Sequence, residues 1–231
     1  VNNEPVIAVS SQNTFDVKES YNTVSFANAM SIVADYAFSG STCPNPGDPL
    51  VLHLRIMSNN KPIYDTMANT LYTTLSRRLL GKKFSYENNG KNFGQTPLKA
   101  LMGKVIIIVD KANPLFSDTL LDEYVNMASN SVFMRAMRFH DVKFTPDMQE
   151  LIEFNKKNMS IVLPDLSPHN NNPSSTLSLN YGCQMVALSL QSFDSSLEYY
   201  NEVFDLAGSA FVLKPAELRF IPVIIPTPPP P

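Results

Sequence analysis

Histidine is the side chain best suited to proton transfer near neutral pH, and the 231-residue chain contains three of them. His53 lies inside an apolar run, where a hydrogen-bonded core histidine is a commoner role than a catalytic base. His140 precedes Asp141, and the two could form an acid–base pair, although a loop pair of this kind is more often solvated. His169 stands among asparagines, which predicts an exposed loop. Proton-transfer chemistry therefore has few candidate residues, and none of them precedes position 53.

Arg55 is the most informative charged residue, because it also lies in the apolar run at residues 50–56. A buried guanidinium needs a carboxylate or an anion as its partner. Asp110 follows the next strongly apolar run, at residues 105–109, and would be close to Arg55 if the two runs are adjacent strands. We therefore predict an internal Arg55–Asp110 ion pair. The alternative is an anion contact through Arg55 and Lys111.

A small basic patch consists of Arg77, Arg78, Lys82 and Lys83 at the end of a predicted helix. Cations near the C-terminus of a helix interact favourably with the helix dipole. We therefore interpret the patch as a solvated face, with contact to anionic lipid as the alternative reading.

The bulk composition limits the classes of function. A net charge of −3 provides no electrostatic footprint for nucleic acid. Two cysteines, Cys43 and Cys183, are too few for a disulfide framework and predict buried thiols. No apolar run approaches the roughly 18 residues of a membrane span, so we expect an intracellular protein that is cytoplasmic or virion-associated and not transmembrane. Because Val1 is not an initiator Met, we expect a chain that is processed or lacks its original beginning.

Apolar runs of strand length alternate with segments of helical periodicity, which predicts βα units and a parallel sheet in an α/β fold. Periodicity alone leaves open whether that sheet is doubly wound or closed into a barrel. Thr145 is the predicted N-cap of the last helix, with Pro146 at its first position. The predicted strands are residues 4–9, 50–56, 105–109, 132–139, 160–163, 181–191 and 211–214, and the predicted helices are residues 25–38, 63–80, 120–127 and 145–158.

Two motifs in the second half are distinctive: GCQMVALSLQS at residues 182–192 and FVLKPAELR at residues 211–219. They resemble the end of the Y half of the catalytic domain of eukaryotic phosphoinositide-specific phospholipase C. Four further segments resemble that family in the same order: residues 34–38 resemble its DYAF, residues 49–52 its PVIL, residues 101–107 its LKGKILL and residues 153–164 its EYNKRQMSRIYP. Six landmarks in register imply the family's fold, a TIM-barrel-like parallel barrel.

The resemblance also implies a domain organisation. We expect one barrel domain at residues 1–221, with an X-like part at about 1–110, a Y-like part at about 130–221, and a proline-rich tail at 222–231. Residues 10–15 are similar to the family's SSHNTY strand, and residues 4–7 to its EPIIYHG strand; we favour the second register. In that register the family's first two strands are missing, so the barrel is expected to be incomplete or distorted.

The family cleaves a phosphodiester with two histidines and one calcium ion. The resemblance implies which positions of this chain correspond to the family's functional residues. Arg55 replaces a calcium-binding glutamate, and Ile108 and Asp110 replace two substrate-binding lysines. Ile161 and Leu163 replace an arginine that binds phosphate and a tyrosine that stacks on the inositol ring. We therefore expect no catalytic residues, no metal site and no cofactor.

Two functions follow as hypotheses. The first is a non-catalytic module with protein partners in a larger assembly such as a virion, which the asparagine- and proline-rich composition would suit. The second is an active, calcium-dependent phosphoinositide phospholipase C whose first strands come from a missing segment or another chain. Peripheral contact with membranes or phosphoinositides is compatible with either.

Overall fold

The computed structural model describes residues 3–9, 15–165 and 171–222, and the chain begins there with a small antiparallel pair. In it, β1 (Val6–Ile7) pairs with β2 (Val24–Ser25). Helix α1 (Phe26–Tyr36) follows directly, because the Ser25 hydroxyl accepts a hydrogen bond from the Asn28 N–H and caps the first turn.

The remaining strands form two parallel sheets, which confirms the predicted α/β class. The first sheet has the order β3 (Leu50–Leu54), β4 (Val105–Asp110), β5 (Met127–Ser129). The second has the order β6 (Met134–Arg138), β7 (Met159–Leu163), β8 (Met185–Val186). Among the described residues the two sheets are not hydrogen-bonded into a closed barrel. The helices after α1 are α2 (Lys61–Leu75), α3 (Phe139–Lys143), α4 (Met148–Lys157), α5 (Ser175–Asn180) and α6 (Ser195–Ala207).

Strand β4 lies at the centre of the core, and all six of its residues are buried. Its side chains alternate between two apolar layers, as the pleat requires. Ile107 and its alternate neighbours pack against α1 and α2, whereas Ile106 and Ile108 face an interior layer shared with the second sheet. From the second sheet, Met134 and Ile161 contribute to that interior layer. Apolar contact therefore joins the two sheets where hydrogen bonds do not.

Three predicted elements in the second half are wrong at their boundaries. The helix expected at 145–158 begins at Met148, because the Asp147 carboxylate accepts from the Glu150 N–H and takes the cap that we assigned to Thr145. The helix expected at 120–127 is a 3-10 turn at Leu120–Tyr124 followed by β5. The strand expected at 132–139 ends early, because Phe139 already begins α3.

The two strands expected near the C-terminus also differ. The strand predicted at 181–191 is reduced to β8, since Gly182 turns with a φ of +74° and the Asn172 side chain accepts from the Ser189 N–H beyond it. Residues 211–214 form no strand at all; Lys214 is instead held through its side chain. A proline that follows directly, Pro215, cannot donate to a ladder.

None of the helices in the described ranges combines the length and apolar character that a membrane crossing would require.

Candidate functional site

Polar residues gather where the parallel strands end, at the edge where α/β barrels place their sites. They include Arg55 after β3, Asp110 at the end of β4, Asn130 after β5 and Arg138 at the end of β6. We call these four residues, together with Asp165 after β7, the mouth cluster. Its position follows from the parallel topology, since the same edge of each sheet collects the C-terminal ends of all its strands.

Asp110 is the centre of the mouth cluster, and its side chain is only 5% exposed. The carboxylate lies 3.7 Å from the Arg55 Nε, so the structure contains the predicted ion pair. It also accepts from the Asn130 Nδ2 at 2.7 Å and from the Ala112 N–H at 2.9 Å. Arg55 itself differs from the prediction: it follows β3 instead of lying within it, and its side chain is 32% exposed. Protein donors therefore already bind the Asp110 carboxylate.

Arg138 belongs to the same electrostatic group, although the sequence analysis did not single it out. Burial lowers its pKa and the positive charge of Arg55 acts in the same direction, while Asp165, Asp141 and Asp110 oppose the shift. Its guanidinium donates to the Pro164 carbonyl at 2.6 Å. The only sequence signal was its place at the end of a predicted strand. The two arginines are thus set among carboxylates of the same chain.

His53 has the structural role that the sequence favoured, that of a hydrogen-bonded histidine and not of a catalytic base. Its Nε2 lies 2.8 Å from the hydroxyl of Ser129, which is fully buried. Burial lowers the pKa of His53, Asp110 opposes this, and Arg55 adds to it. These surroundings therefore favour the neutral imidazole, which is partly buried and hydrogen-bonded within the first sheet.

Replacing His53 with glutamine is expected to make stability less sensitive to acid. The folded-state pKa of His53 lies below its unfolded value of about 6.5, so below that pH the unfolded chain binds the proton first and folding loses free energy. The loss for one such group cannot exceed about 1.4 kcal/mol per pH unit. Urea unfolding at pH 7, 6 and 5 should show a shallower decline for His53→Gln than for the original chain. Parallel declines would contradict a lowered pKa of His53 in the folded protein.

Lys111 also has an internal partner, since its Nζ lies 2.8 Å from the Glu87 carboxylate. Glu87 lies in a left-handed turn in which Tyr86, Glu87, Asn88 and Asn89 have φ values of 52–57°. That turn lies between the helix predicted at 63–80 and the strand predicted at 105–109, and ordinary residues adopt this conformation at a cost. Both members of the predicted anion contact, Arg55 and Lys111, are thus next to carboxylates, and the contact itself stays a prediction.

The other positions named from the resemblance lie in the apolar interior. Ile108 and Ile161 are 1% and 6% exposed, and the partly buried Leu163 packs against the same layer. These side chains offer neither charge nor hydrogen bonds to a ligand. Whether an ancestral site stood there stays a prediction.

His140 and Asp141 do not form an acid–base pair. Asp141 accepts from the Arg138 N–H, the His140 N–H donates to Asp165, and the His140 ring packs on Phe144. His169 lies outside the described residues. The basic patch is solvated, with Arg78 stacked over Phe38.

Metal-binding potential can be judged for the described residues only. Within residues 3–9, 15–165 and 171–222, no three His, Cys, Asp or Glu side chains are grouped so that they could hold an ion.

A second polar group lies at the opposite end of the second sheet, and it joins three of the motifs from the sequence analysis. The side chain of Asn155 is 1% exposed; it donates to the Tyr181 carbonyl and accepts from the Ser160 hydroxyl. Gln184 accepts from the Ser160 N–H and donates to the Asn155 carbonyl, to which Lys214 also donates. We call Asn155, Ser160, Gln184 and Lys214 the basal network. The motifs thus meet in a structural network, away from the mouth cluster.

Comparisons with known proteins agree with this architecture. The family model described as phosphatidylinositol-specific phospholipase C, Y domain, matches residues 118–217. A crystal structure of L. pealei PLC21 is similar with a TM-score of 0.69 and 18% identity, covering 95% of this chain and 32% of that one. For S. officinalis PLC21 the TM-score is 0.68 and the identity 17%, covering 94% and 31%. No curated protein sequence matches.

At this identity the two solved structures establish the fold alone, and this chain spans about a third of the length of each. The Y-domain match adds the family assignment for the second half, where α4, β7 and β8 lie. Residues 118–217 are thus similar to the Y domain of phosphatidylinositol-specific phospholipase C, and the chain as a whole has the fold of the two solved structures.

Proposed function

We propose that this domain is non-catalytic and serves as a structural or interaction module, with protein partners in a larger assembly such as a virion. The observation that carries the proposal is the internal satisfaction of Asp110, the most buried carboxylate of the mouth cluster, by Arg55, Asn130 and the Ala112 N–H. A carboxylate engaged in this way is not available to a ligand unless those contacts break.

The charge of Arg55 supports the same conclusion. Calcium prefers several oxygen ligands, and a guanidinium supplies none. Two like unit charges about 4 Å apart repel by about 4 kcal/mol at the effective dielectric of a protein surface. A cation beside Asp110 would therefore have to displace Arg55, and we expect no calcium and no other cofactor.

The composition of the interior layer also supports the non-catalytic proposal. Phosphate recognition relies on charged, often bidentate donors. Ile108, Ile161 and Leu163 are aliphatic instead, and they pack in the same apolar layer. The module would keep the packed scaffold, without groups that contact a phosphoinositide there. We place it inside the cell, in the cytoplasm or in a virion.

A second candidate is an active, calcium-dependent phosphoinositide phospholipase C completed by strands from elsewhere. The observation that favours it is the free side of β3, which among the described residues pairs with β4 alone. A cavity of about 850 Å³ lies along that side, between β3 and residues 3–8 and 16–18. Unpaired strand edges readily accept another strand.

Calcium titration and a lipid assay test the non-catalytic proposal. Isothermal calorimetry with CaCl₂, and release of soluble inositol phosphate from phosphatidylinositol 4,5-bisphosphate vesicles, should both be negative for the full chain. Micromolar calcium binding or release of inositol phosphate would overturn the non-catalytic proposal. Asp110→Asn is the matched control: binding that it abolishes lies at the mouth cluster, and binding that it leaves intact lies elsewhere. Sedimentation with the same vesicles measures peripheral membrane contact, and mass spectrometry of purified particles tests the assembly.

A further inference from the structure

Strand β3 is an edge of the first sheet, since among the described residues it pairs with β4 alone. The Leu50 N–H donates to the Lys104 carbonyl, and in a parallel ladder every second residue of a strand bonds to the same neighbour. Leu50 and its alternate neighbours therefore direct their backbone groups towards β4. The N–H and C=O groups of Val51 and His53 point the other way, and they make no backbone hydrogen bond within the described part of the chain.

This edge is enclosed by the protein. The cavity of about 850 Å³ runs along it, with residues 3–8 and 16–18 on the far side. All residues of β3 are half-buried, so the outward backbone groups face the cavity and not the open surface. Buried backbone groups cost free energy unless a hydrogen-bonding partner satisfies them. The cavity therefore contains a row of alternating donors and acceptors that suits a second polypeptide backbone.

Apolar side chains surround the edge on both faces of the sheet. On the helix side the cavity is lined by Phe26 and Met30 of α1 and by Met67 of α2, which belong to the buried core. On the other face, Val51 packs against the interior layer. A strand added here would have apolar groups on both of its faces. Strands that are buried on both faces carry continuous apolar runs and not alternating ones.

The charges of the lining do not favour a charged ligand. The four charged residues that line the cavity, Glu4, Asp16, Lys18 and Arg55, include two of each sign and give it no net charge. Asp16, Lys18 and Arg55 each bond to a partner within the chain. Ile7, by contrast, is half exposed on the far side of the cavity. The lining therefore fits an apolar occupant.

We propose that β3 accepts one extended, continuously apolar segment of a partner protein, which adds to the first sheet as a new edge strand. Recognition of this kind relies on alternating N–H and C=O groups, which an extended polypeptide supplies and a small apolar molecule does not. At about 3.3 Å per residue, the segment that pairs along β3 would be about five residues long. The inference rests on the interaction module proposed above and names its binding surface; it requires no reaction at the mouth cluster.

Hydrogen exchange measured by NMR at single amides of the full chain is the first test. The probe is a synthetic peptide with blocked ends, in which a run of five valine and isoleucine residues lies between two pairs of lysines. In the free protein, the Val51 and His53 amides should exchange at least about tenfold faster than the Leu52 and Leu54 amides, which bond to β4. Saturating peptide should slow Val51 and His53 more than Leu52 and Leu54, because a new edge strand binds only the outward groups. Unchanged exchange at Val51 and His53, or equal slowing of all four amides, would overturn strand addition.

The second test separates strand addition from general apolar binding, with fluorescence anisotropy of the labelled peptide as the measurement. Val51→Pro removes one outward N–H, a change that an edge strand tolerates, whereas Val51→Ala shortens the side chain and keeps the N–H. After circular dichroism has shown that both variants are folded, Val51→Pro should bind at least about tenfold more weakly than Val51→Ala. A control peptide that alternates valine with lysine should also bind at least about tenfold more weakly than the apolar peptide. Equal affinities in either comparison would overturn the proposal.

Other occupants of the edge give different results. A second copy of this chain would slow exchange at Val51 and His53 without peptide, and increasingly so at higher protein concentration, which would overturn the assignment to a partner protein. The two proposals also fail separately. Release of inositol phosphate would overturn the non-catalytic proposal alone, and a lack of protection at Val51 and His53 would overturn strand addition alone.

Discussion

Replacing Asp110 with alanine is expected to lower the free energy of unfolding by about 3 kcal/mol. The change removes the acceptor of two hydrogen bonds, from the Asn130 side chain and from the Ala112 N–H, at a residue that is 5% exposed. It also removes the counter-charge of Arg55. Both hydrogen bonds are partly buried, and a buried donor left without an acceptor costs about 1–3 kcal/mol, whereas an ion pair with an exposed guanidinium contributes less. Urea unfolding monitored by circular dichroism measures the loss.

Two further variants separate the contribution of the ion pair to that loss of stability from the contribution of the hydrogen bonds. Arg55→Met removes only the ion pair, and because this side chain is partly exposed we expect a cost of no more than about 1 kcal/mol. Asp110→Asn keeps one acceptor oxygen of nearly the same shape and should fall between the two. If Arg55→Met were as destabilising as Asp110→Ala, the ion pair and not the hydrogen bonds would hold the mouth cluster together.

Replacing Asn155 with leucine is expected to cost about 3 kcal/mol as well, at the opposite end of the second sheet. Leucine has the same branched shape and the same number of side-chain heavy atoms, but it leaves the Tyr181 carbonyl without its donor and the Ser160 hydroxyl without its shortest acceptor. The asparagine is 1% exposed, so water does not replace these partners. Thermal and urea unfolding both report the change.

The double variant Asn155→Leu with Ser160→Ala is the matched control. Removing both partners of the shared hydrogen bond leaves one fewer unsatisfied group, so the double variant should cost less than the sum of the two single changes, by about 1 kcal/mol. Simple additivity would mean that the two side chains are not coupled.

Several features of the fold follow from local sequence because they depend on neighbours along the chain. The continuous β-branched run of β4 predicts a strand buried on both faces, and its six buried residues agree. The alternation of such runs with helices predicts parallel sheets. Parallel adjacency of β3 and β4 in turn places Arg55 beside Asp110, so this ion pair could be predicted before any coordinates. The domain division at 1–110, 130–221 and 222–231 stays a prediction.

Other features depend on contacts between distant residues, and there the sequence misleads. Residues 211–214 have the composition of a strand, yet the Lys214 side chain bonds to a carbonyl 59 positions earlier and the backbone pairs with no described strand. Strand β5 is only three residues long, which is too short to show a periodicity from which a strand could be predicted. In the same way, Gln184 meets Asn155 and Ser160 across 29 and 24 positions.

The sequence by itself therefore determined the α/β class, the central strands and the resemblance to phospholipase C. These features depend on patterns of apolar residues that are close together along the chain. Only the tertiary structure decided what occupies each end of the sheets. Hydrogen bonds at the mouth cluster and in the basal network join side chains whose separation along the chain has no relation to their distance in space.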